Sequence, residues 1–220
     1  TGTHGKTTAS SIIAHLLNDN GMNPNLMIGG IPLDIGEGGR FTESEFFVIE
    51  GDEYDTAFFD KRSKFVHYMP EIVVVNNIEF DHADIFDDLA QIQTSFRRMV
   101  NLIPGNGLLV ANGDDLNVAE LLEIDHCPVQ RFGLGAGNEV RGEALKFSEK
   151  GACFEVDGAV FTLPMAGELN VWNALAVIAV ARHCGLSAAQ IRDGLTAENS
   201  RRGRGSEVSG VGRRASESSV

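Results

Sequence analysis

A glycine-rich turn that leads directly into an amphipathic helix constrains the fold of this chain more than any other feature. Apolar residues recur at helical spacing within residues 7–20, and Gly21 is placed to end the helix with a positive φ angle. Glycines at a helix start let backbone N–H groups approach an anion, and the helix dipole adds about half a positive charge there. The turn consists of Gly2, Thr3, His4, Gly5, Lys6, Thr7 and Thr8.

This composition is typical of the second half of a P-loop, the phosphate-binding turn of many nucleotide-binding proteins. We interpret residues 2–8 as the phosphate-binding turn. Lys6 would reach the terminal phosphates, and the Thr7 hydroxyl would bind Mg²⁺. The alternative is a chance Gly-Lys-Thr tripeptide at the start of a helix. The amphipathic helix that follows at once favours the P-loop.

The remaining pattern alternates short apolar runs with helical segments. The runs are too short for helices and predict buried parallel strands at residues 26–28, 46–49, 72–75 and 108–110. Helices are predicted at residues 89–102, 116–124, 169–184 and 187–195. Strict alternation on both sides of Asp157-Gly158 predicts a hairpin. The expected fold is α/β, a P-loop-type and mostly parallel sheet with helices on both faces and a small antiparallel extension.

Acidic and polar residues follow two of the predicted strands. Residues 50–55 carry four carboxylates, beginning with Glu50, and residues 76–84 include His82 between Asp81 and Asp84. Ligands bind at the carboxyl ends of strands in open α/β sheets, and crowded carboxylates favour a divalent cation. We therefore interpret Glu50 and His82 as metal ligands in a nucleotide site with more than one Mg²⁺. The alternatives are a solvated acidic loop and a structural histidine.

Two asparagines open a later helix. Asn170 and Asn173 are three residues apart and therefore share one helical face. Recognition of an adenine edge explains both amides. A helix cap at Asn170 is the alternative, because asparagine is a favoured capping residue.

Charge and hydropathy exclude several classes of partner. The formal net charge is −13, whereas binding to a nucleic-acid backbone depends on lysine and arginine. No apolar run reaches the roughly 18 residues that cross a bilayer, and no signal-type leader opens the sequence. We expect a cytoplasmic protein that binds neither nucleic acid nor membranes. The sequence does not predict an oligomeric state.

The chain divides into a globular part and a tail. Residues 1–199 are expected to form one domain that lacks the strand before its P-loop, so we expect the complete protein to start further upstream. Residues 200–220 consist mainly of serine, arginine, glycine and glutamate and are expected to be disordered.

At three segments the chain resembles the Mur ligase family. They are residues 1–8, residues 50–67 and residues 76–86. The resemblance extends to about Arg202, and residues 55–64 resemble the tripeptide-adding branch rather than the L-alanine-adding branch. It implies an ATP-dependent ligase that joins the recycled murein tripeptide L-Ala-γ-D-Glu-meso-diaminopimelate to UDP-N-acetylmuramate through an acyl phosphate.

The same resemblance implies roles for individual residues. Lys6 would stabilise the transferring phosphoryl group, Thr7 and Glu50 would hold one Mg²⁺, and Glu50 with His82 a second. Asn170 and Asn173 would face adenine, and the Gly29-Gly30 turn would meet the nucleotide sugar. The family pattern is not followed at three places: residues 89–100 contain no lysine, Leu169 replaces a histidine, and residues after 202 do not continue the interdomain linker.

The family has three domains, and this chain resembles the middle one alone. An amino-terminal UDP-sugar domain and a carboxyl-terminal domain are absent, so we expect weak or no ATP binding and no ligation by the isolated chain. The alternatives are an L-alanine-adding or folylpolyglutamate-type ligase, a P-loop module without ligase chemistry, and a nonfunctional fragment of a disrupted gene.

Overall fold

The computed structural model describes residues 1–32, 35–80, 86 and 88–202, and for residues 197–202 it describes the backbone alone. The helices are α1 (Lys6–Asp19), α2 (Leu89–Val100), α3 (Leu116–Ala119), α4 (Glu168–His183) and α5 (Ala188–Arg202). The strands are β1 (Asn25–Met27), β2 (Gly39–Arg40), β3 (Phe47–Ile49), β4 (Asp55–Ala57), β5 (Asp60–Ser63), β6 (Ile72–Val75), β7 (Leu108–Asn112), β8 (Val129–Gly133), β9 (Val140–Arg141), β10 (Glu143–Ser148), β11 (Gly151–Val156) and β12 (Ala159–Leu163).

A four-stranded parallel sheet in the order β6-β7-β8-β9 forms the centre of the molecule. Alternate residues of a strand point to opposite faces, so β7 contributes Leu108 and Val110 to one core cluster and Leu109 and Ala111 to another. All five β7 residues are buried. The predicted parallel sheet with both faces covered is confirmed.

Helices of different character cover the two faces. The sixteen-residue α4 is rich in alanine and valine, and its buried residues extend from Val171 to Ala181 because α1, α5 and the sheet surround it. On the other face, α2 buries Ile92, Phe96 and Met99 against β6 and β7 and exposes its opposite side. The first four N–H groups of a helix lack partners within it, and the Asp88 side chain caps α2 by accepting from the Gln91 N–H.

The strands before β6 form a separate sheet in the order β2-β1-β3, with β1 and β3 parallel. The predicted parallel strands therefore lie in two sheets rather than in one. Strands β3 and β6 are edge strands that line a common cavity of about 490 Å³. Thr1 lies at one end of it, where its amino group donates to the Val74 carbonyl and its carbonyl accepts from the Asn76 N–H. We refer to this cavity as the interstrand gap.

A three-stranded antiparallel sheet, β10-β11-β12, forms the predicted extension. Its β11–β12 turn is Asp157-Gly158, and both residues have positive φ angles, 51° and 75°. This geometry is that of the two-residue hairpin turn expected from the sequence. The Phe154 and Phe161 rings, 5.9 Å apart, connect this sheet to the core under α4.

Several local features differ from the sequence-based expectations, and strands β2, β8 and β9 were not predicted. The hairpin β4–β5 was not predicted, and the helix expected at residues 116–124 ends at Ala119. Helix α5 continues to Arg202, beyond the expected boundary at residue 199, and residues 203–220 lie outside the described part. Within the described residues, no helix combines the length and apolar character needed to cross a bilayer.

Candidate nucleotide site

The glycine-rich turn has the backbone conformation that its glycines permit. Gly2 and Gly5 have φ angles of 132° and 82°, and Gly5 is the residue before α1. A Cβ atom at Gly5 would collide with the Asn173 side chain, and one at Gly2 would lie 2.9 Å from the Asn77 carbonyl oxygen. Both positions therefore require glycine for conformation and for space.

Asn77 connects this turn to the loop after β6. Its carbonyl accepts from the Thr3 N–H at 3.1 Å, and its side chain accepts from the His4 N–H at 2.7 Å and donates to the His4 carbonyl at 3.2 Å. The N–H groups of Thr3 and His4 are thus used within the protein. The N–H groups at the start of α1, from Gly5 to Thr8, remain for an anion, and no acidic residue lies in that first helical turn.

The Lys6 ammonium lies across the turn. Its Nζ atom donates to the Gly2 carbonyl at 2.9 Å and to Glu53 Oε1 at 2.8 Å. Glu53 is only 4% exposed. It is one of the four carboxylates that follow β3, and the sequence alone did not indicate which of them faces the lysine.

Thr7 and Glu50, both predicted Mg²⁺ ligands, lie together. The Thr7 hydroxyl donates to Glu50 Oε1 at 2.7 Å, and Glu50 Oε2 accepts from the Gly29 N–H at 2.8 Å. A hydroxyl and a carboxylate are hard oxygen ligands, and Mg²⁺ commonly uses one or two protein ligands together with water and phosphate oxygens. The donor set therefore fits Mg²⁺.

The predicted ligand His82 lies outside the described residues. Among the residues that the structure describes, no group of three or more histidine, cysteine or acidic side chains is arranged to hold a metal ion. A Mg²⁺ site made by Thr7 and Glu50 is compatible with this finding, because only Glu50 of the two is a residue of those types.

The two asparagines of α4 differ in their surroundings. Asn173 is buried, and its Oδ1 atom accepts from Asn76 Nδ2 at 3.0 Å. Asn170 is partly exposed and donates to the Ala166 carbonyl at 2.8 Å. Gly167 precedes the helix, so the alternative of a cap at Asn170 is wrong.

A cavity of about 240 Å³ lies between the turn and α4. Within the described structure, Trp172 Nε1 and Asn76 Oδ1 are buried at its edge without hydrogen-bond partners. Buried polar atoms usually have partners. The cavity is lined by His4, Gly5, Thr8, Asn76, Asn77, Leu169, Asn170, Trp172 and Asn173.

A third strand-end loop, after β7, also supports the site and was missed by the sequence analysis. The Asn112 side chain donates to the Asn76 carbonyl at 2.9 Å. The Ile78 N–H donates to Asp115 at 3.2 Å, and Asn117 donates to the Ile78 carbonyl at 2.7 Å. The sequence signal was present in the polar residues 112–117 directly after an apolar strand.

Charges next to the site are paired. Burial raises the pKa of the Asp52 carboxyl, but the hydrogen bonds from Lys64 and the Tyr54 N–H outweigh it and leave that pKa below its ordinary value.

A glycine-rich turn and three polar loops at the carboxyl ends of parallel strands define a nucleotide-binding α/β domain of the P-loop class. Comparison with protein families matches residues 1–181 to the Mur ligase middle domain. The chain therefore belongs to the Mur ligase family.

The similar proteins include ligases of two specificities. A UDP-N-acetylmuramate-L-alanyl-gamma-D-glutamyl-meso-2,6-diaminoheptandioate ligase of Haemophilus influenzae is 43% identical over 189 residues, which are 84% of this chain and 42% of that protein. A UDP-N-acetylmuramate-L-alanine ligase of Clostridium perfringens is 34% identical over 202 residues, which are 89% of this chain and 42% of that protein. The chain thus spans less than half the length of these relatives.

A solved structure confirms the fold. The crystal structure of UDP-N-acetylmuramate:L-alanyl-gamma-D-glutamyl-meso-diaminopimelate ligase from Neisseria meningitides matches with a TM-score of 0.79 and 44% sequence identity. The match covers 89% of this chain and 64% of that one.

Proposed function

We propose that this chain is the ATP-binding middle domain of a ligase that joins L-alanyl-γ-D-glutamyl-meso-diaminopimelate to UDP-N-acetylmuramate. The observation that carries the proposal is the convergence of Lys6, Thr7 and Glu50 at the amino terminus of α1. The choice of the tripeptide over L-alanine rests on 43% identity to a tripeptide ligase against 34% to an alanine ligase.

Each predicted residue has a part in this proposal. The N–H groups at the start of α1 and the Lys6 ammonium bind the phosphates, while Gly2, Thr3 and His4 give the turn its shape. Thr7 and Glu50 hold Mg²⁺, whose charge offsets that of the phosphates, and His82 is a further proposed ligand. Asn170 and Asn173 border the cavity that would take adenine.

The proposed reaction activates a carboxylate by phosphoryl transfer from ATP. The carboxylate of UDP-N-acetylmuramate attacks the γ-phosphorus to give an acyl phosphate and ADP, and the tripeptide amine then displaces phosphate to form the amide bond. In this scheme, Lys6 and the helix N–H groups stabilise negative charge on the transferring group.

Ligation requires both acceptor substrates to be held beside ATP, because positioning supplies much of the rate. We infer that further domains bind the UDP-sugar and the incoming amine, and that the present chain does not ligate alone. The proposed setting is the cytoplasm, with small-molecule substrates and without nucleic acid or membrane as partners.

The first test is calorimetric titration of the chain with a nonhydrolysable ATP analogue and Mg²⁺. We expect weak but saturable, Mg²⁺-dependent binding that is lost in Lys6→Ala and weakened further in His82→Ala. Binding that is the same in Lys6→Ala and in the unchanged chain would contradict the proposed phosphate site.

The second test separates the two ligase specificities. A longer protein that contains this chain and its flanking domains is assayed for ADP release with UDP-N-acetylmuramate and either the tripeptide or L-alanine. The proposal expects tripeptide to be the preferred amine, and a preference for L-alanine would assign the protein to the other branch. Nucleotide binding with neither amine used would favour a binding module.

A further inference from the structure

Among the carboxylates after β3, Glu53 has the most enclosed position. The Glu53 side chain is 5% exposed and lies 2.8 Å from Nζ of Lys6, whose side chain is 18% exposed. Its neighbours face elsewhere: Asp52 pairs with Lys64 at 2.7 Å, and Glu50 accepts from Thr7. The loop after β3 thus places Glu53 against Lys6 and Glu50 against Thr7.

We propose that Glu53 is a positioning residue for Lys6, an inference that rests on the proposed phosphate site. An ammonium group has three N–H donors. Two of them are directed to Gly2 O and Glu53 Oε1, at 2.9 and 2.8 Å. The third donor remains for a phosphate oxygen, and the two protein contacts fix where it points.

Burial makes this contact persistent. Separating two oppositely charged groups in a poorly solvated place is unfavourable, and Glu53 and Lys6 are both largely enclosed. Lys6 therefore binds phosphate while it stays on Glu53, rather than by leaving it. A lysine side chain has many rotamers, and fixing it before the ligand arrives reduces the entropy lost on binding.

Two effects of Glu53 on an anionic ligand oppose each other. Its negative charge repels phosphate, whereas its hold on Lys6 places a positive charge where phosphate binds. We expect positioning to be the larger effect. Removing this negative charge therefore weakens the binding of a negatively charged nucleotide, which is the opposite of what net charge alone predicts.

The test compares three variants of the full chain by titration with the nonhydrolysable ATP analogue and Mg²⁺. Glu53→Leu is expected to bind about tenfold more weakly, the scale of one lost charge-assisted hydrogen bond. Glu53→Gln keeps an acceptor for Lys6 but loses the charge, so it should bind more weakly than the unchanged chain and more tightly than Glu53→Leu. Asp52→Asn is the matched control, because it removes the same charge one residue away and should bind at least as tightly as the unchanged chain.

A second measurement follows Lys6 without nucleotide. Brief acetylation with acetic anhydride, followed by mass spectrometry, should modify Lys6 faster in Glu53→Leu than in the unchanged chain or Asp52→Asn. Circular dichroism establishes that each variant is folded. If Glu53→Leu does not fold, the comparison of Glu53→Gln with Asp52→Asn carries the test, and weaker binding and faster Lys6 labelling are expected in Glu53→Gln alone.

The outcomes separate this inference from the proposed function. Unchanged Lys6 labelling, or equal or tighter nucleotide binding in folded Glu53→Leu, overturns the positioning role. Faster labelling in a chain that binds no nucleotide at all upholds the Lys6–Glu53 contact and counts against the phosphate site.

Discussion

At the scale of single residues, Gly5 shows how the turn and α4 depend on each other. The position has a left-handed conformation, and a Cβ atom there would meet the Asn173 side chain. We expect Gly5→Ala to abolish nucleotide binding and to lower the free energy of unfolding by about 1–3 kcal/mol. Both are measured by calorimetric titration and urea unfolding.

Gly21 provides the control for that substitution. It has a similar φ angle of 78°, but nothing lies within 4 Å of its missing Cβ. Gly21→Ala should show the conformational strain without the collision and should leave nucleotide binding unchanged. Equal losses of binding in the two variants would mean that contact with Asn173 does not shape the turn.

At the scale of secondary-structure elements, two helix caps test how the strand-end loops support the site. Asp115 caps α3 and also accepts from the Ile78 N–H, which ties the loop after β7 to the loop after β6. We expect Asp115→Ala to lower the free energy of unfolding by about 1–2 kcal/mol and also to weaken nucleotide binding. Denaturant unfolding and calorimetric titration measure the two effects.

Asp88→Ala is the matched substitution at the cap of α2. Its side chain accepts from the Gln91 N–H, and it should lose about 1 kcal/mol of stability with nucleotide affinity unchanged. Weaker nucleotide binding in both variants would attribute the effect to general loss of stability rather than to the loop after β7.

The elements that the sequence predicted correctly are those whose apolar pattern is buried. Strand β6 agrees with its apolar run at both ends, and the hairpin at Asp157-Gly158 follows from the alternation on both sides of its turn residues. The hairpin β4–β5 was missed because its strands are polar, and ion pairs such as Lys61 to Asp55 accompany their pairing. Such pairs leave no hydrophobic periodicity in the sequence.

The same distinction applies to the site. Lys6 and Thr7 belong to one local motif, and Glu50 follows a recognisable strand, so their types and positions are readable from the sequence. Asn117 supports Ile78 across 39 positions of the chain. Contacts of this kind depend on which strands become neighbours, and that information is not in local spacing.

At the scale of the whole molecule, two sheets meet around the interstrand gap. The N–H of Glu50, directly after β3, donates to the Met27 carbonyl on β1. The Leu108 N–H on β7 donates to the carbonyl of Glu71, the residue before β6. Backbone groups alternate in direction along a strand, so those of Phe47 and Ile49 on β3, and of Ile72 and Val74 on β6, face the gap. In the described sheets, no strand pairs with either of these sides.

The gap therefore divides the backbone amides by how readily they exchange hydrogen with solvent. Amides of β7, paired on both sides and buried, should exchange only when the whole domain opens. The Val74 amide lies one strand away in the same sheet, yet it should exchange through small local openings, many times faster than that of Val110. In deuterated water, the slowest exchange should thus come from the central strand β7, and the edge strand β6 of the same sheet should exchange earlier.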